Sequence, residues 1–413
     1  MSEIRDIPEH WEIKKLGEVC DVLDNLRKPI NSTERQQRIS GKTESELYPY
    51  YGATGQVGWI DSFLTNDEYI LIGEDGAPFL DIYKDKAYKI KGKTWVNNHA
   101  HILKGKEPFL IDDFALYYLN SINYREFVNG ATRLKLTKSN LVEIPFVVPP
   151  LAEQQAIVAK IEELLSELDN GKQQLQTALQ QLKVYRQSLL KWAFEGKLTH
   201  TNVKEGELPD GWKWVKLNEI CKIIGGVTKG KDYKNQKTIP LPYLRVANVQ
   251  DGYLDLRTIK EIDVLPTDLD KFRLIYGDIL YTEGGDKDKL GRGTIWKSEI
   301  DNCIHQNHIF RARPLSETSN SKYIAYFSQT RAAKSYFYKN GKQTTNLASI
   351  NLTILSGLPV PLCSQNEQQL IVDELESKLT ICDNVEETIK QSLEQAETLR
   401  QSILKKAFEG KLV

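Results

Sequence analysis

Polar side chains able to bond the edges of nucleic-acid bases gather in a few short stretches rich in Gly and Asn. In the first half of the chain they read Asn97-Asn98-His99-Ala100-His101 and Gly130-Ala131-Thr132-Arg133-Leu134-Lys135; in the second, Ile304-His305-Gln306-Asn307-His308 and Gly341-Lys342-Gln343-Thr344-Thr345. Asn and Gln can bond adenine through two hydrogen bonds and Arg can do the same with guanine, while Lys and Arg also meet phosphate. The candidate DNA contacts are therefore Gln56, Asn97, Asn98, His99, Arg133 and Lys135, and, in the second half, Arg245, Asn248, Lys287, Arg292, Gln306, Asn307, Lys342, Gln343, Thr344 and Thr345. Gly and Asn also populate turns for backbone reasons alone, so the pattern leaves purely structural turns open.

Other chemistries find less support. His99, His101, His305 and His308 have no Cys or carboxylate partners at metal-ligand spacing, so no metal ligand is assigned. A DNA methyltransferase would carry a Pro-Pro pair inside an Asn/Asp/Ser-Pro-Pro-aromatic motif, whereas the single pair here reads Val148-Pro149-Pro150-Leu151, and no strand-Gly-x-Gly-helix unit accompanies it. A nuclease centre would need clustered carboxylates with a lysine. Glu74-Asp75 with Lys84 is a weak version of it, and Glu283 is followed by Gly284-Gly285 instead. No catalytic residue is assigned. The five cysteines, Cys20, Cys221, Cys303, Cys363 and Cys382, are widely spaced and odd in number, which favours reduced, structural thiols.

The polar stretches need elements to hold them. Strand-like segments alternate with turns: Gln56 to Ile60, Tyr69 to Ile72 and His101 to Leu103, then Leu241 to Val246, Asp278 to Tyr281 and His308 to Arg311. Helical stretches follow, Asp112 to Phe127 and Lys322 to Tyr338. Aligned by eye, Gly73-Glu74-Asp75-Gly76 corresponds to Thr282-Glu283-Gly284-Gly285, Asn97–His101 to Ile304–His308, and Gly130–Arg133 to Gly341–Thr344. Turn positions are kept while side chains change, as expected of loops that recognise different ligands.

The halves are echoes. RQSLLKWAFEGKL, from Arg186 to Leu198, returns as RQSILKKAFEGKL from Arg400 to Leu412, and Glu153 to Val158 returns as Glu367 to Val372. IPEHWEIKKLGEVCDVL, from Ile7, pairs with LPDGWKWVKLNEICKII, from Leu208. Repeats of this kind imply a repeated architecture. After Pro149-Pro150 the chain runs to about Gly196 without a proline, and its apolar residues step alternately by four and three: Ile157, Ile161, Leu164, Leu168, Gly171, Leu175, Ala178, Leu182, Tyr185, Leu189, Trp192. That is a heptad seam interrupted only by Gly171, where a kink is expected. The second copy keeps Ile371, Leu375, Cys382, Val385, Ile389, Ala396, Leu399 and Ile403. A helix of roughly 40 residues spans about 60 Å at ~1.5 Å per residue, too long for one domain to bury, so the two copies are expected to cover each other as an antiparallel pair.

At 413 residues the chain accommodates two domains and their spacers. Its net charge of −1 conceals an asymmetry: residues 1–150 hold 19 basic and 22 acidic side chains, residues 201–360 hold 24 and 18. So balanced a chain would need partners to supply phosphate contacts for tight DNA binding. No run is apolar enough to span a membrane and the start lacks the core of a signal peptide, so a cytoplasmic protein with no membrane partner is expected.

Duplicated halves, each a variable domain followed by a helix with E-Q-Q-x-I-V, preceded directly by P-L-x in the first copy, and ending R-Q-S-[LI]-L-K-x-A-F-E-G-K-L, resemble the specificity subunit of a type I restriction-modification system over essentially the whole chain. The resemblance implies an α+β protein. Two mixed α/β target recognition domains, 1–150 and 201–360, would be joined by two long helices, 151–200 and 361–413, that form an antiparallel coiled coil with a pseudo-twofold internal repeat. It implies a non-catalytic subunit of an adenine-specific methyltransferase and restriction complex that reads a bipartite, asymmetric site in double-stranded DNA with an unread gap. Two methyltransferase subunits and the restriction subunits would dock on it. S-adenosylmethionine, and ATP with Mg for cleavage, would belong to those partners, with no cofactor on this chain. A methyltransferase or nuclease carrying its own recognition domain, or a structural coiled-coil adaptor, are the alternatives; the adaptor leaves unexplained why only the domains between the helices diverge.

Overall fold

The structure, a computed structural model, describes residues 7–204, 206–230, 233, 236–315, 319–343 and 348–413. Two compact units divide the chain, one of residues 1–177 and 389–413, the other of 178–388.

In the first unit, β1 (Glu12–Lys15) pairs with β8 (Pro145–Val148). Six further strands form one sheet: β2 (Cys20–Val22), β3 (Tyr48–Gly52), β4 (Gly55–Ile60), β5 (Thr65–Gly73), β6 (Ala87–Val96) and β7 (Ala100–Gly105), in the order β2-β7-β5-β6-β3-β4. Its pairs are antiparallel except β3 with β6. The continuous apolar run Ile70-Leu71-Ile72 belongs to β5 because that strand is central and buried on both faces.

The second unit repeats the plan in pieces. β9 (Lys213–Lys216) pairs with β20 (Pro359–Leu362). A four-stranded sheet contains β10 (Cys221–Gly225), β13 (Ile279–Thr282), β15 (Gly293–Ile295) and β17 (Ile309–Pro314), and a three-stranded one contains β11 (Ile239–Leu244), β12 (Lys260–Val264) and β16 (Ile304–His305). The single strand β6 of the first unit corresponds to β15 plus β16, split by residues 296–303. A third small sheet joins β14 (Gly284–Gly285), β18 (Lys342–Gln343) and β19 (Ala348–Ser349).

The expected helical stretches are shorter than their apolar patterns. The helix Asp112–Ser121 stops because Ser121 turns its hydroxyl onto the Tyr118 carbonyl and Asn123 bonds the Arg125 amide instead of continuing the ladder. In the second unit Thr330 accepts from the Ala333 amide and so starts a new helix, separating Ser321–Ser328 from Arg331–Asn340.

Two helices of 44 residues, Leu151–Phe194 and Gln365–Phe408, carry the repeated phrases. The first passes through Gly171 as one unbroken helix, so no local break occurs there. Each ends by plugging a globular core: Ile403, Leu404, Ala407 and Phe408 join the core of the first unit, and Leu189, Leu190, Ala193 and Phe194 that of the second. Phe408 meets Phe114 and Tyr118 edge-on at 5.3 and 5.1 Å, as Phe194 meets Tyr323 and Phe327 at 4.9 and 5.2 Å. The glycine two residues on adopts a positive φ in both, 75° at Gly196 and 68° at Gly410, and a Cβ there would strike Pro209 or Pro8.

The helix starts are anchored with equal repetition. Glu153 accepts from the Trp11 indole at 2.9 Å and Glu367 from the Trp212 indole at 3.1 Å. Buried Gln154 accepts from the Ile111 amide and donates to the Phe109 and Pro149 carbonyls; Gln368 accepts from the Asn320 amide and donates to the Cys363 carbonyl. The seam follows these anchors rather than a strict heptad. Ile157, Ile161 and Leu189 are fully buried with Leu165 close behind, while Leu164, Leu168, Leu175 and Leu182 are half-buried. On the second helix Ile371, Leu375, Ile389 and Ile403 are buried. Tyr185, Trp192, Val385 and Leu399 depart from the expectation: they are exposed, Val385 by 42% and Leu399 by 51%. A straight helix drifts off a seven-residue repeat, and globular packing at its ends selects the neighbouring residues instead.

The five cysteines are buried and free, and burial pushes the thiols of Cys20, Cys221, Cys303 and Cys363 up to about 12. Among the described residues, no helix is long and apolar enough to cross a membrane.

Candidate nucleic-acid interface

In the first unit the turn after β5, the turn between β6 and β7, and the loop before Leu136 converge. The Glu74 amide donates to the His99 carbonyl at 2.7 Å, and the Glu74 carbonyl accepts from the Leu136 amide at 2.7 Å. Side chains then neutralise one another across these turns. Lys135 Nζ lies 2.8 Å from Glu74 Oε1, and both Arg133 Nη2 and His99 Nδ1 lie 2.7 Å from Asp75 Oδ1. Beneath them, Arg27 donates to Glu74 Oε2 at 2.5 Å and approaches Asp24 Oδ2 at 3.1 Å. His101 is wholly buried, with Nδ1 2.8 Å from Asp24 Oδ2 and Nε2 2.9 Å from the Leu136 carbonyl.

Burial opposes ionisation of Glu74, but hydrogen bonds from Lys135 and Arg27 and the Arg27 charge prevail and hold its carboxyl below the usual range. Burial likewise opposes Asp24, which His101 and Arg27 bring below the usual range. The Glu74 hydrogen bond raises Lys135. The carboxylates pair with Arg27, Arg133 and Lys135 and hydrogen-bond to His99 and His101, and among the described residues no cluster of three or more His, Cys, Asp or Glu could hold a metal ion.

Arg133, Lys135 and His99 thus share one polar surface with Asn98, which is exposed. Asn97 does not face outward: it is buried, and its Oδ1 accepts from the His99 amide, closing the turn. Gln56, exposed on β4, stands opposite Tyr51, whose carbonyl accepts from the Asn97 amide.

The second unit builds the same frame. The Glu283 amide donates to the His308 carbonyl at 3.0 Å, and the Glu283 carbonyl accepts from the Ile350 amide at 2.8 Å. These bonds, with the strand registers, equate Glu74 with Glu283, His99 with His308 and His101 with Phe310. The alignment by eye is therefore two residues out at this turn. It is out again at the last loop, where Asn129 opposite Lys135 corresponds to Lys342 opposite Ser349. Turn residues carry no apolar period by which a register could be read.

Here His308 Nδ1 meets Glu283 Oε2 at 2.5 Å and both are more exposed than their first-unit counterparts. Lys342 and Gln343 are exposed on β18, joined through β19 to Gly284-Gly285. Arg292 donates to Gln250 Oε1 at 2.9 Å beside Gly285, and Lys287 lies over the Tyr338 ring at 4.5 Å. Gln306 and Asn307 are half-buried, their amides tied to the Leu244 and Val227 carbonyls. Arg245 and Asn248 hold their own loop: Arg245 donates to the Thr258 carbonyl and buried Asn248 to those of Asp255 and Thr258. Asn248, like Asn97, is thus spent within the fold. Thr344 and Thr345 lie outside the described residues. Arg27, Asp24 and Gln250 escaped the sequence reading because no spacing marks a residue that meets its partners only in the folded chain.

Residues 8–180 and 209–395 each match the type I restriction modification DNA specificity domain. The chain is 38% identical over 153 residues to a putative type I restriction enzyme specificity subunit of Haemophilus influenzae, a match spanning 37% of either protein. It is 29% identical over 315 residues to the type I restriction enzyme EcoKI specificity subunit of Escherichia coli, covering 74% of this chain and 67% of that one. In fold it is similar, at a TM-score of 0.69 and 18% identity over 98% of this chain and 99% of the other, to a chain from a structure of the type I restriction-modification system.

Proposed function

This chain belongs to the type I restriction-modification DNA specificity subunits, and from that premise we propose that it reads a bipartite, asymmetric site in double-stranded DNA, one half-site per domain, with an unread gap. The observation that carries this is the duplicated backbone frame at Glu74 and Glu283, which presents different side chains from equivalent loops. Arg133 and Lys135 in one domain, and Lys342, Gln343 and Arg292 in the other, would meet the DNA. The half-site sequences would differ because these loops differ.

The two long helices serve as an antiparallel spacer with pseudo-twofold symmetry. Supporting this, Lys172 pairs with Glu397, whereas Arg186, further along the first helix, pairs with Asp383 and Glu386, earlier on the second. Two methyltransferase subunits, acting on adenine, and the restriction subunits dock on the spacer. The apolar residues the helices leave exposed, Tyr185, Trp192, Leu370, Ile381 and Val385 among them, support such a docking role. S-adenosylmethionine, and ATP with Mg, reside on those partners.

The test is to co-express the chain with its methyltransferase, map methylated adenines across a genome, and repeat with residues 1–150 exchanged for those of another family member. One half-site of the motif should change completely and the other persist. A change in both would reject one half-site per domain, and methylation by this chain alone would reject a non-catalytic subunit.

A further inference from the structure

We propose that Arg27 is a positioning residue for the first half-site: its guanidinium locks the loops that present Arg133, Lys135 and His99. The inference rests on the reading of those loops as the DNA-contacting surface and names a residue beneath them that contacts no DNA itself.

One planar group draws three segments of chain together. Arg27 Nη1 donates to Glu74 Oε2 at 2.5 Å, to the Ala100 carbonyl at 3.0 Å and, more weakly, to the Asn98 carbonyl at 3.3 Å, while Nη2 lies 3.1 Å from Asp24 Oδ2. The side chain is only 16% exposed. Glu74 passes the constraint to Lys135, and Asp24 passes it through His101 to the Leu136 carbonyl. The fork geometry of Arg is what permits simultaneous bonds to two carboxylates and two carbonyls. Without it, Glu74 and Asp24 would stand half-neutralised against the same turn, and the loop bearing Arg133 and Lys135 would lose its fixed seat.

Among the described residues, the second domain holds the equivalent turn without such a lock. Strand register places Phe310 at the position of His101 and Gly225 at that of Asp24. Its Glu283 meets only His308 among the ion pairs of the described residues, at a more exposed position. Loss of Arg27 is therefore a first-half-site event.

The experiment uses the chain assembled with its methyltransferase subunits and measures fluorescence anisotropy on three duplexes: the mapped motif, the motif with the first half-site scrambled, and the motif with the second scrambled. Arg27→Ala should weaken the intact motif roughly tenfold, on the scale of a lost base contact, and leave binding to the duplex lacking the first half-site unchanged. The double variant Arg27→Ala/Arg133→Ala should be no weaker than the weaker single variant, because Arg27 acts through the loop. Arg27→Lys keeps the charge, loses the fork and should fall between; it carries the test should Arg27→Ala fail to fold. Equal losses on all three duplexes, or multiplicative losses in the double variant, overturn the proposal. A weakened Arg133→Ala complex beside unaffected Arg27 variants overturns this inference alone, whereas an unaffected Arg133→Ala complex overturns the loop reading as well.

Discussion

The equivalent loops of the two domains hang from the same two backbone hydrogen bonds, at Glu74 and at Glu283, yet are secured by different side chains. The first domain places Asp24, Arg27 and His101 beneath its turn; the second puts Gly225 and Phe310 at the positions of Asp24 and His101 and leaves its Glu283–His308 pair nearer to solvent. The shared main-chain bonds set the path of the turn, and the side chains beneath it, which in the first domain include the Arg27 lock, can change from one domain to the next. A module built this way can acquire a new binding preference without a new fold.

The largest expected effect sharpens the comparison at the level of the cores. Phe408→Ala should destabilise the first unit and Phe194→Ala the second, each by about 3–5 kcal/mol, the usual cost of emptying an aromatic site. Hydrogen exchange that reports loss of protection in the 12–148 segment for one variant and in the 213–362 segment for the other would bear this out. Loss in both for either variant would break it.

Acidity should separate the domains next. His305 takes the place that Val96 holds in the first domain. It is fully buried; its Nδ1 donates to the Ile309 carbonyl at 2.8 Å, and its Nε2 has no partner among the described residues. Burial pushes its pKa down to about 4. The unfolded chain takes up the proton near the ordinary value, around 6.5, and the folded chain only near 4, so stability is unaffected above that window and falls as pH drops through it. At ~1.4 kcal/mol per unit the loss approaches about 3 kcal/mol by pH 4. Denaturant unfolding of His305→Val should show a flatter pH dependence between 6.5 and 4, with other carboxylates setting the remainder.

Third come the loops themselves. Arg133→Ala should cost about 1–3 kcal/mol of binding only where the first half-site is present, if Arg133 reads a base. Lys342→Ala should weaken all sequences alike and reduce the salt slope by roughly one, the mark of a phosphate contact. Salt titrations on cognate and scrambled duplexes distinguish the two, and reversed behaviour would exchange the roles assigned here.

The smallest effect concerns the helices. Val385→Ser and Leu399→Ser should change the stability of the free chain by no more than about 0.5 kcal/mol, as at any exposed position. A cost of several kcal/mol at either would restore the strict heptad seam.

The sequence by itself determined the repeat, the helix start after Pro150, the closing phrases ending in Phe-Glu-Gly-Lys-Leu, and the presence of polar loops in the same order in each half. These are local or periodic signals, legible because apolar spacing, proline and glycine act on the chain where they stand. The second helix, by contrast, begins at Gln365 and not at 361, since residues 359–362 pair as a strand. Tertiary structure alone decided that Asn97 and Asn248 turn inward, that His99 and His308 are the true counterparts, and that Leu189, Leu190, Ala193 and Phe194 serve a globular core while Tyr185 and Trp192 face solvent. It also brought Arg27 to Glu74, 47 positions along the chain. A side chain's partners depend on which strands lie side by side, and a charged residue is buried only where that pairing supplies its counter-charges.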